Sequence, residues 1–184
     1  MTLLLLATVA AILPAVAVAD VMITGNVSIV GTQNTPVFEI QPGPNYPAAY
    51  AAGAIAWNPM QPASVEPGQL APMASFDLEG INNQTTALAN VLDLNVTIGA
   101  GVTGTLYVNF TGNFPAGAMV WVTNNTVDVH SLPGLLGGQS INSASFQFNG
   151  PFPGGTTTYY MSFYLPPGSY AGATGTITGT FIAH

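Results

Sequence analysis

The chain has 184 residues with no lysine, no arginine and no cysteine, and its seven acidic residues give a net charge of −7 at pH 7. Without cations it lacks the basic footprint that phosphate backbones require, which excludes nucleic-acid binding, phosphate-loop lysines and Schiff-base chemistry. Without cysteine, disulfides, thiolate catalysis and Cys-ligated metals are excluded too. Charged residues make up only 4% of the chain and hydrophobic residues 48%. Disorder goes with the opposite balance, so we expect a folded chain stabilised by apolar burial and backbone hydrogen bonds.

Residues 1–19 carry no charge and are rich in leucine and alanine. As a helix they would span roughly 28 Å, about the thickness of a bilayer core, with a kink at Pro14. Such a segment must be buried in protein or in lipid. Three interpretations remain open: a signal peptide cleaved after Ala17-Val18-Ala19, a membrane anchor, or a helix that packs against copies of itself in a filament. No basic residues precede the leucines, which argues against a signal peptide.

The run from Met1 to Leu13, MTLLLLATVAAIL, resembles the mature N-terminus of a type IV pilin. In that family a basic leader is removed by a prepilin peptidase, and the resemblance implies an N-terminal helix packed in the core of a filament. Leu5 departs from many bacterial pilins, which have Glu there, whereas archaeal relatives generally lack it. The residues that we expect to pack in the filament core are Leu3, Leu4, Leu6, Val9, Ile12, Leu13, Pro14 and Val16.

After Asp20 the apolar residues Val21, Ile23, Val27 and Ile29 alternate with polar ones, which predicts a helix that runs into a strand. We count these four among the assembly residues. The predicted organisation is an assembly segment over residues 1–24 and a β-domain over residues 25–184.

A proline-rich stretch over residues 32–72 follows. Its turn signals predict a chain that runs over the surface between short edge strands at 37–40 and 54–57. Downstream, apolar residues alternate in short blocks separated by Gly, Pro and Asn. These blocks predict strands at 75–78, 89–98, 105–110, 118–123, 143–148, 158–165 and 174–182. The predicted fold is mainly β, with an N-terminal apolar α-helix followed by an immunoglobulin-like or jelly-roll β-sandwich.

A second resemblance rests on Tyr160–Pro166 followed by Thr174–Phe181, together with Glu66-Pro67-Gly68 leading into Phe76 and Asn82. This pattern is similar to the sandwich of TasA/camelysin-type biofilm fibre proteins and archaeal bundling pili. The resemblance implies subunits joined by donor-strand complementation, in which a strand from one copy completes the sheet of the next. The donated strand would come from Val21–Val30.

Few residues indicate chemistry. Asp77 and Glu79 would share a strand face and offer two oxygen ligands to Ca²⁺, although a solvated face is the simpler interpretation. Asp128, His130 and Ser131 contain the residue types of a hydrolase triad, but they are sequence neighbours and the chain lacks a nucleophile elbow. We therefore expect no enzyme activity, no cofactor and no metal site.

Three further groups of residues are expected at the surface or at an interface: the sequons, four tyrosines and the acids. The candidate glycosylation sites are the Asn-x-Ser/Thr sequons at Asn26, Asn83, Asn95, Asn109 and Asn124. Four tyrosines, Tyr159, Tyr160, Tyr164 and Tyr170, crowd one region of the sequence and suit an interface between subunits better than a sugar-binding surface. The acids are expected to lie mostly on the outer surface of an assembly, where their mutual repulsion is weakest.

Together these observations predict a structural subunit of an extracellular archaeal pilus, a self-assembling filament for adhesion or cell–cell contact. Its partner would be itself, with neighbouring filaments or cell surfaces as further contacts and the membrane only before assembly. One alternative is a TasA-like fibre subunit joined by donated strands. A second is a secreted sugar- or metal-binding β-sandwich module with a cleaved signal peptide.

Overall fold

A computed structural model describes residues 37–59, 63–64, 70–80 and 84–184. All of them belong to one compact unit, Asn34–His184. The predicted helix over residues 1–19, the assembly segment over residues 1–24 and its boundary with the β-domain at residue 25 lie outside the described residues. The alternating residues Val21, Ile23, Val27 and Ile29 lie outside them as well. In the described ranges, no helix has the length and apolar character needed to cross a bilayer.

The described ranges form eleven strands, one short α-helix and one 3₁₀ helix. The strands are β1 (Val37–Pro42), β2 (Ile55–Pro59), β3 (Ala63–Ser64), β4 (Leu70–Leu78), β5 (Thr86–Ile98), β6 (Gly104–Gly112), β7 (Met119–Thr123), β8 (Gln139–Ser140), β9 (Ser145–Asn149), β10 (Gly155–Leu165) and β11 (Thr174–Ala183). The α-helix, α1, is Tyr46–Ala51, and the 3₁₀ helix is Val129–Gly134.

The strands form two antiparallel sheets. One has six strands in the order β3-β1-β5-β10-β7-β8, and the other has five in the order β2-β4-β11-β6-β9. From β4 onward, each strand lies in the opposite sheet to the strand before it, except that β7 and β8 are neighbours in one sheet. The chain therefore crosses repeatedly between the two layers.

The two sheets share one continuous core. Phe76 of β4 packs against Phe163 of β10 in the other sheet, with ring centroids 5.4 Å apart. Phe76 also packs against Phe110 and Phe114, with ring centroids 6.3 and 5.7 Å away respectively. Because aromatic rings bury large areas, this cluster contributes much of the free energy that holds the layers together. The prediction of a mainly β fold is confirmed.

Strand β5 shows how the alternation predicts the two faces. Leu92, Leu94, Val96 and Ile98 are buried, whereas the intervening residues 93, 95 and 97 are half-buried or exposed. The regular pattern stops at Asn90, whose φ of 51° is left-handed. The register with β10 shifts at the same place, between Met161 and Phe163. This bulge places five successive residues of β5, from 88 to 92, in buried positions.

The proline-rich stretch follows its prediction only in part: β2 is a short edge strand, as predicted at 54–57. Strands occur near both predicted positions, but β1 contributes Phe38 and Ile40 to the core and pairs with β5 along six residues. Helix α1 was not predicted; Pro47 is tolerated there because it lies in the first turn, where the backbone N–H has no helical partner. Strand β4 begins at Leu70 and not at the predicted residue 75. The strand continues through Pro72, which is tolerated because it pairs with Thr178 of β11 at an irregularity in the register.

Candidate functional site

The predicted assembly residues lie outside the described residues and remain predictions. They are Leu3, Leu4, Leu6, Val9, Ile12, Leu13, Pro14, Val16, Val21, Ile23, Val27 and Ile29. The sequons at Asn26 and Asn83 also lie outside the described ranges. The structure therefore bears on the sequons at Asn95, Asn109 and Asn124.

Two of these three sequons lie inside paired strands. Asn95 is on β5 between β1 and β10, and its Oδ1 accepts a hydrogen bond of 2.7 Å from the Thr158 hydroxyl. Asn109 is on β6 between β11 and β9, and its Oδ1 accepts a hydrogen bond of 2.7 Å from the Ser145 hydroxyl. Both side chains are half-buried and engaged across the sheet.

The third sequon lies in a loop that is attached at both ends. Asn124, Asn125 and Thr126 are exposed and follow directly after β7. At the start of the loop, the Thr123 hydroxyl donates to the carbonyl of Asn125 at 2.7 Å. At its end, the backbone of Val127 makes two hydrogen bonds with the side chain of Asn90. The loop therefore has a defined position although its sequon faces solvent.

Asn90, the buried residue at the bulge of β5, anchors the end of this loop. Its Nδ2 donates to the carbonyl of Val127 at 2.8 Å, and its Oδ1 accepts from the N–H of Val127 at 2.9 Å. Its own backbone N–H donates to the Ser162 hydroxyl on β10 at 2.9 Å. Asparagine is one of the few residues that adopts a left-handed φ readily. The bulge thus directs an amide at the loop and completes its hydrogen bonding.

Beside the loop is a cleft of about 530 Å³ between β9 of one sheet and β10 of the other. It is lined by Val122, Thr123, Asn124, Gln147, Phe148, Asn149, Thr157 and Tyr159. The rings of Phe148 and Tyr159 lie 4.2 Å apart between their centroids, and both are half-buried. Burial raises the pKa of Tyr159 above its ordinary value of 10.0. The lining combines two aromatic rings with amide and hydroxyl groups and includes no carboxylate.

The cleft exists because β7 is shorter than its neighbour. Strand β7 pairs with β10 only from Tyr160 to Tyr164, so residues 155–159 of β10 have no partner strand on that side among the described residues. On the opposite wall, β9 is the last strand of its own sheet in the described part of the chain. Unpaired backbone groups therefore line two sides of the same opening.

A separate feature is the carboxyl group of Asp93 on the outer face of β5. It lies opposite Gln41 of β1 and Tyr160 of β10. Its Oδ1 is buried without a hydrogen-bond partner in the described structure. Burial raises the pKa of Asp93 from 3.8 to about 6, because removal from water disfavours the charged form. Asp93 is thus an exception to the expectation that the acids lie at the surface.

The other described acids are more accessible. Asp77 and Glu79 are exposed, and β4 ends between them at Leu78. Asp128 is also exposed, and Glu39 is half-buried. Among the residues that the structure describes, no three His, Asp or Glu side chains come together as a metal site would require. The pair at 77 and 79 is a solvent-facing surface at the end of a strand.

The residues of the rejected triad have a structural role. Asp128 precedes the 3₁₀ helix, and its Oδ1 accepts from the backbone N–H of His130 at 2.8 Å. The Ser131 hydroxyl donates to the backbone carbonyl of Asp128 at 2.7 Å. These bonds cap the helix terminus, as short polar side chains commonly do.

The four tyrosines do not form a single patch. Tyr159 borders the cleft, and Tyr160 lies across from Asp93 on the outer face of the sheet. Tyr164 packs against a second small cluster built around Trp121 and Leu132. Tyr170 is buried, and its hydroxyl donates to the carbonyl of Pro166 at 2.6 Å. Because successive strand residues point to opposite faces, Tyr159 is separated from Tyr160 and Tyr164, which share the outer face of β10. The interface between subunits stays a prediction.

Sequence reasoning missed the cleft, the loop anchor and the buried carboxyl group. A polar Asn90 inside the apolar run ALANVL was a signal for a bulge. No local signal indicated the cleft, since it opens only because the consecutive strands β9 and β10 lie in different sheets. A comparison with protein-family models gives no match for this chain, and a comparison with curated proteins gives none either.

Proposed function

We propose that the chain is a structural subunit of an extracellular filament of the archaeal pilus type. The observation that carries the proposal is an uncharged, apolar segment of nineteen residues attached to a β-unit with a continuous core, in a chain without lysine or arginine. Such a segment requires a protein or lipid environment. In the proposed filament, copies of the same segment bury one another while the β-units form the outer layer.

The distribution of charge supports an arrangement of many identical copies. Each copy carries seven acids and no compensating cation, so close packing brings like charges together. Asp77, Glu79 and Asp128 are exposed. On the outside of a filament, water and salt would screen their repulsion.

The finer fold class that we propose for the β-unit is a jelly-roll sandwich. Immunoglobulin domains place several consecutive strands side by side in one sheet. Here, consecutive strands from β4 to β11 alternate between the sheets, apart from the β7–β8 pair. This alternation supports two interleaved Greek keys, the plan of an eight-stranded jelly roll. Strands β2 and β1 extend the two sheets beyond β4 and β5 respectively.

The helix-core proposal is tested by removing residues 1–19. We expect the native chain to form filaments in negative-stain electron microscopy, and the truncated chain to remain monomeric in size-exclusion chromatography with light scattering. Filaments of unchanged appearance from the truncated chain would exclude a helical core. Mass spectrometry of the native N-terminus gives an independent result, because a mature chain that begins at Asp20 would lack the proposed helix.

A second candidate is a fibre joined by donated strands, and the sheet edges favour it. The five-stranded sheet ends in β2 on one side and β9 on the other within the described residues. An exposed strand edge offers backbone N–H and C=O groups to a strand from another copy. The alternating residues Val21–Val30 have the pattern that such a donated strand requires.

Two variants at one position test this candidate. Val27→Pro removes a backbone donor and should abolish polymerisation if residues 21–30 are the donated strand. Val27→Thr is the matched control, because it keeps the β-branched shape and every backbone hydrogen bond. Normal filaments from Val27→Pro would exclude the donated strand. A monomeric native chain that begins at Asp20 would instead favour the secreted sugar- or metal-binding module.

A further inference from the structure

We propose that Asn124 is the N-glycosylation site of the described unit, and that the attached neutral sugar lies in the cleft between β9 and β10. This inference rests on the proposed extracellular location, where glycosylation of a sequon takes place. It distinguishes among sequons that the motif alone treats as equal.

Accessibility selects Asn124. A glycosyltransferase must reach the amide nitrogen of the asparagine and the hydroxyl of the threonine two residues later. Asn124 and Thr126 are both exposed in the loop after β7. The Oδ1 of Asn124 accepts from the Nδ2 of Asn125 at 3.0 Å, and the Nδ2 of Asn124 makes no hydrogen bond within the described residues. The nitrogen that would form the new bond is therefore available.

The other two described sequons differ in exposure, because both asparagines are half-buried whereas Asn124 is exposed. The backbones at Asn95 and Asn109 are paired with strands on both sides. Each Oδ1 also accepts a hydrogen bond from a hydroxyl of a neighbouring strand. A sugar on either residue would lie on the sheet surface among those partners. Their use would require transfer before the sheet forms.

The reaction is a glycosyl transfer from a lipid-linked sugar phosphate, which the producing cell supplies. The Nδ2–C1 bond forms while the bond between C1 and the phosphate oxygen of the donor breaks. The lipid phosphate leaves with the electron pair of that bond, and the proton lost from the amide passes to a base of the transferase. The pilus chain supplies only the acceptor amide and the threonine hydroxyl.

The cleft provides a surface for the first sugars. Asn124 lies on its rim, and its volume of about 530 Å³ is within the range of small-ligand sites. Phe148 and Tyr159 offer the apolar ring faces on which the C–H face of a sugar packs. Gln147 Nε2 donates to Asn149 Oδ1 at 2.9 Å, so the groups left for the sugar hydroxyls are the Oε1 of Gln147 and the Nδ2 of Asn149. Because the lining includes no carboxylate, we expect a neutral sugar and not a cationic ligand.

Glycopeptide mapping of the native chain, purified from the cells that produce it, tests the acceptor. We expect sugar mass on the peptide that contains Asn124 and none on the peptides that contain Asn95 and Asn109. Asn124→Gln should remove that mass, whereas Asn109→Gln, the matched control, should leave it. An unmodified Asn124, or sugar on Asn95 or Asn109, would overturn the inference. Electron microscopy of the same samples reports on filaments separately, so failure of glycosylation and failure of the proposed function are distinguishable.

A double-mutant cycle tests the position of the sugar. Melting temperatures are compared for the native chain, Asn124→Gln, Phe148→Leu and the double variant. If the sugar packs on the ring, Asn124→Gln should lower the melting temperature in the native background and leave it unchanged in the Phe148→Leu background. Equal changes in the two backgrounds would show that the sugar does not contact the ring.

Discussion

Replacement of Asp93 by asparagine should stabilise the β-unit at neutral pH. The Oδ1 of Asp93 is buried without a partner, and burial raises its pKa from 3.8 to about 6. A raised carboxyl pKa means that the folded chain binds the proton more tightly than the unfolded chain. The stabilisation from that proton is present below about pH 4 and is lost as the pH rises through about 6. At pH 7.5 the folded state therefore carries the full cost of an ionised, partly desolvated carboxylate.

The size of the effect follows from the pKa and the exposure of the group. A rise from 3.8 to about 6 would correspond to roughly 3 kcal/mol for a fully buried carboxyl group. Asp93 is only half-buried, so solvent screening reduces this value, and we expect about 1 kcal/mol. For a chain of this size, that gain raises the melting temperature by roughly 2–4 °C.

Urea denaturation followed by tryptophan fluorescence measures the gain. At pH 7.5, Asp93→Asn should be more stable than the native chain by about 1 kcal/mol, and near pH 3.5 the two should have equal stability. Asp77→Asn is the matched control, since it removes the same charge from an exposed position. Equal gains from both variants would show that general charge repulsion, and not burial of one carboxyl group, is responsible. A difference that does not depend on pH would also refute the reasoning.

Three further variants test the packing. Phe163→Ala should cost about 3–5 kcal/mol in urea denaturation because this ring is fully buried between the sheets, whereas Leu136→Ala at a 93% exposed position should change stability by less than about 0.5 kcal/mol. Gly43→Ala should lower the free energy of unfolding by about 1–3 kcal/mol, because the added Cβ would clash with the carbonyl oxygen of Asn90. Gly134→Ala is the control, because a Cβ there meets no neighbouring atom. Equal melting temperatures for the two variants would contradict this packing. Asn90→Gly keeps the left-handed φ but loses both side-chain hydrogen bonds to the loop after β7. Amide hydrogen exchange in that loop should therefore become faster. An unchanged exchange rate would show that the loop does not need this anchor.

Much of the fold could be predicted from local patterns. The alternation in residues 89–98, 105–110 and 158–165 predicted β5, β6 and β10, although the structure extends each of them by a few residues. This succeeds because successive side chains in a strand point to opposite faces, so the pattern of polarity reports which face is buried. The proline-rich stretch was harder, because the burial of β1 depends on its pairing with β5 about 55 residues later.

The candidate site shows the same division. The motif identified five sequons of equal standing, and only the strand pairing separates Asn124 from Asn95 and Asn109. The cleft requires β9 and β10 to face each other from different sheets, and the bulge at Asn90 requires the register of β10. Local sequence does not specify these contacts, because they depend on which sheet each strand joins and on its register there.

By itself, the sequence determined the chemistry that this protein lacks. No folding can supply an ammonium or guanidinium side chain or a thiol to a chain without lysine, arginine or cysteine. The strand faces follow from a backbone period of two residues. Only the tertiary structure decided which of the acids has a buried oxygen and which sequon faces solvent. Exposure is a property of the neighbours that pack against a residue, and those neighbours come from long-range strand pairing. The carboxyl group of Asp93 is an example, since its Oδ1 lies close to Gly43, which directly follows β1.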